Sequence, residues 1–500
     1  MILLPLFILF LFSPAASTST TDNTSDSTTD STTDSTYVKV AKNGVHFSMG
    51  SKTFVPSGLN IAWPSHTKTP EEASSYYSDY FADLESSGGN WARVWLGPNL
   101  VDSFNPLALL RKNYTDVDST AAGIVNSIIT SAEEHNVKVL LTFDSFNGYC
   151  PDKASGNCHF TRSVFNEANG GPLNEWTGFL EFWSNPASKK AFKSLLTYAA
   201  DRWGGSEAVF GWELFNEVDI AGLDLPIGFY DWHKEMAKHL RKADRGRHLI
   251  SESFGTLPGN KWIDGMDKFD FTSTHNYART SRGPQSPDVA KSNAYWSKTK
   301  VEWYHKPSLI GEFGCDDTKK GADSNFRHNL HAGLWSPFFA GGAGTGMCWF
   351  WDGASMDDDF SREWFLTEFR AFKKFTSYVD GAIGEGRELG DLKIRNVGVK
   401  VLDNEKGDVE SIGSVAGDSE LSFAWFHDSN DTCESETPTK EFKGKKVWFS
   451  LLADGKYNVA WIDTKTGEVV KEEKEKGSKG GLTVTVPDFI QDIVAVVYKI

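Results

Sequence analysis

The chain has 500 residues, a formal net charge of −16 at pH 7 and 18 Trp, 14 Tyr and 35 Phe. That length holds more than one core, or one large barrel with a smaller companion. With no basic stripe to neutralise phosphates, the negative charge excludes nucleic acid as a partner and argues against an anionic membrane surface.

Residues 1–17, MILLPLFILFLFSPAAS, have an apolar core too short to span a bilayer, followed by the small residues Ala15, Ala16 and Ser17. This pattern predicts a secretory signal peptide, hence a secreted, extracellular protein with no membrane attachment after cleavage. Residues 18–36 repeat an STTD unit built from Ser, Thr, Asp and one Asn. Nothing there can bury apolar surface, so a disordered spacer is expected. Sequons at Asn23, Asn113 and Asn430 offer glycosylation sites.

From residue 37 to 385 strand-like and helix-like stretches alternate. The candidate strands are Val55–Trp63, Trp91–Leu96, Lys138–Ser145, Val209–Glu217, Leu249–Phe254, Phe271–Tyr277, Ser308–Gly314 and Gly344–Trp351. Amphipathic stretches such as EEASSYYSDYFADLESSG and FYDWHKEMAKHLRKADRG lie between them. Eight such units predict an α/β fold, a (β/α)8 TIM barrel. A doubly wound sheet is the rival, but no Gly-rich phosphate loop follows the first strand. Residues 386–500 change to short alternating runs and predict a small C-terminal antiparallel β-sandwich. That part either binds carbohydrate through Trp425 or Trp461 or packs against the barrel. Cys150 and Cys158 are candidates for a disulfide, Cys315 and Cys348 belong to neighbouring strands, and Cys433 is left over. No motif calls for a metal or other cofactor.

Glu217 closes VFGWELFNE and Glu312 sits in SLIGEFG, both at C-terminal ends of strands that should be apolar. A buried carboxylate there needs a task or a partner. Strands four and seven face each other across a barrel mouth, so the two can stand about 5–5.5 Å apart, the spacing of a retaining glycosidase pair. Glu217 is then the proton donor and Glu312 the nucleophile. Arg93, in WARVW, and Tyr277, in STHNY, are placed to keep Glu312 ionised. Alternatively, Arg93 pairs only with a barrel-interior carboxylate such as Glu213 or Glu252. His275 shares the Tyr277 face by strand alternation and can reach Glu217 or sugar, and Asn216 can reach the sugar 2-hydroxyl. The roles of Asp144 and Glu252 stay open. The many indole rings suit the C–H faces of pyranoses, although large barrels also bury aromatics.

WARVW, WELFNE, STHNY, KPSLIGEFG and GMCWFWDG, in this order, resemble glycoside hydrolase family 5 over roughly residues 38–380. The resemblance implies Glu217 as acid/base, Glu312 as nucleophile, and Arg93, Asn216, His275 and Tyr277 as the polar set around them. It also implies Trp349 as the indole beneath the sugar, with Trp351 the less fitting choice; Trp95 is a further substrate-binding candidate. Arg93-Val94-Trp95 and Trp212–Glu217 are similar to the family's β-mannanases, and the third strand lacks the His of many of its cellulases. Val218 departs from the mannanases, which carry Pro after Asn-Glu. The expected activity is endo-cleavage of β-1,4-mannan by a monomer. An endo-β-1,4-glucanase, an exo-β-glycosidase and a non-catalytic carbohydrate-binding protein are the alternatives.

Overall fold

The computed structural model describes residues 36–500 apart from 153–155, 221–226, 278–287, 315–323, 350, 352–358, 397, 403, 405–406, 431, 433–439, 451 and 479. Side chains of 324–329, 359–361, 415 and 418 are likewise excepted. The signal peptide, nearly all of the spacer, Asn23, Cys315 and Cys433 lie outside the described residues.

Parallel pairing runs from Gly58–Asn60 to Trp91–Trp95, Lys138–Ser145, Val209–Asn216 and Leu249–Ser251. The fifth strand breaks at Glu252, and its second piece, Ser253–Phe254, pairs with Thr272–Tyr277, which pairs with Ser308–Gly314. Among the described residues the expected eighth strand keeps one bridging residue: Cys348 bridges both Leu59 and Phe313 in parallel and so closes the ring, next to Met347, which exchanges backbone hydrogen bonds with Ile310 and Phe313. The preceding GGAGTG, residues 341–346, explains the loss, since glycine weakens a strand interior. The first strand is also shorter than predicted. Its Gly58 is required by close approach, because a Cβ there would stand 1.8 Å from the Trp91 carbonyl oxygen.

Helices follow the strands, with local signals at their starts. Thr69 caps Pro70–Ser87 in a capping box with Glu72, Asp118 caps Ser119–Glu134, and Asn185 caps Pro186–Trp203. Phe229–Ala243, Val289–Tyr304, Ser324–Phe339 and Asp359–Ile383 continue the outer ring, while only the four residues Lys261–Asp264 stand between strands five and six. A three-stranded meander, Val38–Val40, Phe47–Met49 and Lys52–Phe54, plugs the N-terminal mouth. There Phe47 meets Phe210 and Phe271 edge-on at 5.0 and 5.6 Å. With that mouth sealed by apolar rings, the polar side chains of the interior gather toward the C-terminal strand ends.

Among the described residues, the C-terminal part forms antiparallel sheets of six, three and two strands. In the six-stranded sheet, Leu421–Asp428 is buried along its whole length. Phe423 and Trp425 join the barrel's core, with Phe423 stacked on Phe338 at 5.3 Å, while Ala424 and Phe426 join Phe449 and Val447 of the three-stranded sheet. Both faces of this strand are therefore occupied, as its alternation requires. Trp425 and Trp461 are 1% and 0% exposed, which corrects their candidacy as sugar-binding surfaces. Among the described residues no helix is long and apolar enough to cross a membrane.

Candidate active site

Strand alternation turns Arg93 and Glu213 into the barrel interior, where both are fully buried. Arg93 is saturated. Its Nη2 donates to Glu213 Oε1 at 2.5 Å and Asn216 Oδ1 at 2.8 Å, and its Nη1 donates to Glu312 Oε1 at 2.6 Å and Asn60 Oδ1 at 3.1 Å. Burial works against its charge, but the Glu213 and Glu312 carboxylates outweigh that and hold its pKa above the usual value. The two pairings weighed from sequence are thus both present: one guanidinium serves the interior carboxylate and the strand-seven glutamate.

Glu312 receives a second donor from strand six, the Tyr277 hydroxyl at 2.6 Å from Oε2. Burial pushes the Glu312 carboxyl up and the neighbouring Glu217 adds to this, while Arg93 and the Tyr277 bond pull it down; the net direction is upward. Glu217 follows the fourth strand with φ +50°, a left-handed conformation that costs a non-glycine residue energy and ends the strand alternation. The turn brings its Oε1 within 2.9 Å of His275 Nδ1, which lies 3.4 Å from Glu312 Oε2. Burial pushes the His275 pKa to about 4, so the imidazole is neutral at physiological pH. One oxygen of Glu217, one oxygen of Glu312 and one His275 nitrogen all lie within 4.8 Å of one another.

Among the described residues that trio is also the one group near enough to hold a metal ion. The Arg93 guanidinium already occupies Glu312 Oε1 and would repel a cation there.

An aromatic wall borders the polar centre. Trp349 is half-buried, with ring centroids 5.2 Å from Trp95, 5.8 Å from Trp63 and 4.9 Å from Trp351. Trp351 is fully buried and donates its indole N–H to the Trp63 carbonyl, so Trp349 is the more exposed ring of the two. Trp95 is 5% exposed and carries the Arg93 guanidinium over its ring at 5.4 Å, which places it behind Trp349. Trp63 and the exposed Phe104, 5.1 Å apart, extend the wall outward; sequence reasoning did not single them out. The Trp that closes the first candidate strand was the available signal.

The remaining carboxylates find structural places. Asp144 accepts from Tyr149 Oη at 2.6 Å and from the Asn99 and Ser145 amides, and burial lifts its pKa to about 6. It ties the loop after strand two to the loop pinned by the Cys150–Cys158 disulfide. Glu252 points away from the cleft, 3.6 Å from His233 Nε2, and burial raises its pKa well above the usual range.

No family model matches the chain. In sequence it is 25% identical over 249 residues to a probable mannan endo-1,4-beta-mannosidase A of Aspergillus flavus, an alignment covering 48% of this chain and 58% of that protein. It is 22% identical over 354 residues to the mannan endo-1,4-beta-mannosidase A of Hypocrea jecorina, covering 65% and 74%. The chain thus spans less than two thirds of the first of these relatives. Among solved structures, a glycoside hydrolase family 5 protein from Bacteroides vulgatus superposes with a TM-score of 0.60 at 15% identity, over 93% of this chain and 94% of that one. A putative glycoside hydrolase of the same organism gives 0.58 at 14% identity, over 94% and 84%. The fold is that of these hydrolases, a (β/α)8 barrel, and the sequence relatives are mannan endo-1,4-beta-mannosidases.

Proposed function

We propose that the protein is a secreted, retaining glycoside hydrolase that cleaves internal β-1,4 bonds of mannan-type polysaccharide. The observation that carries this reading is the approach of Glu217 and Glu312 to within 4.8 Å between carboxylate oxygens, with His275 between them. Retention needs carboxyl groups about 5–5.5 Å apart, whereas inversion leaves about 6.5–9.5 Å for a water.

In the first step Glu312 forms a bond to the anomeric carbon, the glycosidic C–O bond breaks, and the Glu217 proton passes to the departing oxygen. In the second, water attacks the same carbon, Glu217 takes the water's proton, and Glu312 leaves as the carboxylate. Arg93 and Tyr277 hold the carboxylate charge, and Asn216, oriented by Arg93, faces the sugar 2-hydroxyl. Trp349 supplies the ring beneath the sugar, backed by Trp95. The disulfide supports an oxidising, extracellular compartment. The C-terminal sheets act as a β-sandwich that packs against the barrel.

The mannan assignment rests on the named relatives and on the Arg93–Trp95 and Trp212–Glu217 motifs. Reducing-sugar release and product sizing on galactomannan, glucomannan, carboxymethyl-cellulose and mixed-linkage glucan test it. Mixed oligomers from both mannans are expected; release mainly from the glucans, or of single sugars, overturns the substrate while keeping the pair. Glu312→Ala should abolish hydrolysis and spare polymer binding, and surviving activity would refute the mechanism.

A further inference from the structure

Gly255, just beyond the split fifth strand, is wedged against the carboxyl of Glu217. A Cβ placed on it would stand 2.8 Å from both Cδ and Oε1 of Glu217, and 2.9 Å from Ile220 Cδ1. Its backbone therefore lies in contact with the carboxyl as no other residue type would allow. What holds it there is Asp219, two residues after Glu217 and 7% exposed. Asp219 Oδ1 accepts the Gly255 N–H at 2.9 Å, and Oδ2 accepts the Thr256 N–H at 2.9 Å as well as the Thr256 hydroxyl. The Ile220 N–H closes the turn on the Glu217 carbonyl at 3.0 Å. Strand four's turn and strand five's loop are thus stapled by one carboxylate, with Glu217 gripped between them.

We propose that Asp219 is a positioning residue for the proton donor: through Gly255 and Thr256 it sets the rotamer, desolvation and electrostatic surroundings of Glu217. This rests on Glu217 being the acid/base. Two effects follow. Desolvation by the Gly255 backbone disfavours the charged carboxylate, and a negative charge one peptide unit away does the same. Both keep Glu217 protonated to higher pH. Asp219 bonds Gly255 and Thr256 and not Glu312, whose partners are Arg93, Tyr277 and His275. Asp219 should therefore matter only when the leaving group needs a proton.

The test compares wild type, Asp219→Asn, Thr256→Val and Glu217→Ala on aryl β-mannobiosides with poor and with dinitrophenolate leaving groups. The readout is kcat/KM against pH, which reports the bond-breaking step. Because each enzyme is measured on both substrates, the ratio is independent of how much of a preparation is folded. For Asp219→Asn the expected result is a loss of about tenfold on the poor leaving group and under twofold on the activated one, a fraction of the roughly 100- to 10,000-fold that general acid catalysis contributes. Its alkaline limb should also move to lower pH, and Thr256→Val should show the same pattern more weakly. Equal losses on both substrates with an unmoved limb overturn the proposal. If Glu217→Ala itself shows no leaving-group dependence, the acid/base assignment fails instead.

Discussion

Arg93 and Glu312 meet at 2.6 Å with side chains 0% and 4% exposed, although 219 residues separate them in the chain. Removing one partner from such a pair strands the other in a poorly solvating interior. Arg93→Ala leaves both Glu213 and Glu312 uncompensated, so a loss of about 3–5 kcal/mol in unfolding free energy is expected from urea denaturation. Arg93→Lys keeps the charge but cannot present a planar fork to Glu213, Glu312, Asn60 and Asn216 together. That variant should fold, with kcat/KM reduced by about 100-fold or more; near-normal activity would show that the fork is dispensable.

Tyr277→Phe removes a hydrogen bond that favours the ionised form of Glu312. The sign is therefore upward: the Glu312 carboxyl, already raised by burial, should rise further. The acid limb of kcat/KM then moves to higher pH, while the alkaline limb, assigned above to Glu217, stays in place. An acid limb that does not move would mean that Arg93 alone sets the ionisation.

The strand ends that carry this chemistry were legible because each interrupts a buried apolar run with a group that burial penalises. WARVW, WELFNE, STHNY and SLIGEFG all lie where sequence reasoning put them. The eighth strand was less so, because its pattern survives in the sequence while, among the described residues, Cys348 is the one that bridges both neighbouring strands. The N-terminal meander escaped because three-residue strands are too short to show a period of two. Glu252 stayed ambiguous for a related reason: whether it faces the cleft depends on the phase of a strand broken at that residue. The Asp219 staple and the Trp63–Phe104 extension reside in loops, where no periodicity signals direction.

His331 joins the barrel to the C-terminal sheet. Its Nδ1 lies 2.7 Å from Glu368 Oε2 and its Nε2 lies 2.6 Å from Asp492 Oδ2, which also accepts the Trp425 indole N–H. Burial opposes the imidazolium, but the two carboxylates outweigh it and raise the pKa well above 6.5. A raised folded value means that the stabilisation is full below about pH 6.5 and declines as pH rises toward that value, by about 1.4 kcal/mol per pH unit. Unfolding free energies measured from pH 6 to 9 should therefore show this slope in the wild type and lack it in His331→Gln. Parallel curves for the two proteins would rule out a charged His331.

Removing the C-terminal sheets should cost the barrel its solubility. Leu421, Phe423, Trp425, Val494 and Val496 belong to the same core as Phe338, Phe339 and Phe375 of the barrel helices. Truncation at residue 391 uncovers those rings as a contiguous apolar patch, which favours aggregation. A soluble, cooperatively melting fragment of residues 36–391 would show that the barrel does not depend on this contact.

The aromatic wall predicts a division of labour along the substrate. In the function proposed above Trp349 is the ring at the reacting sugar, while Phe104, 51% exposed, meets the wall through Trp63 and so lies farther out. A ring stacked on the sugar at the cleavage site acts on the distorted transition state, so Trp349→Ala should lower kcat on substrates of every length. A ring farther along the chain contributes binding that is equal in ground and transition states, and losing it raises KM alone. Phe104→Ala should therefore raise KM severalfold on mannan polymer and leave kcat unchanged. On manno-oligosaccharides too short to reach it, neither constant should change. Kinetics of the two variants on polymer and on a series of manno-oligosaccharides separate the cases, and a length-independent effect of Phe104→Ala would remove it from the substrate path.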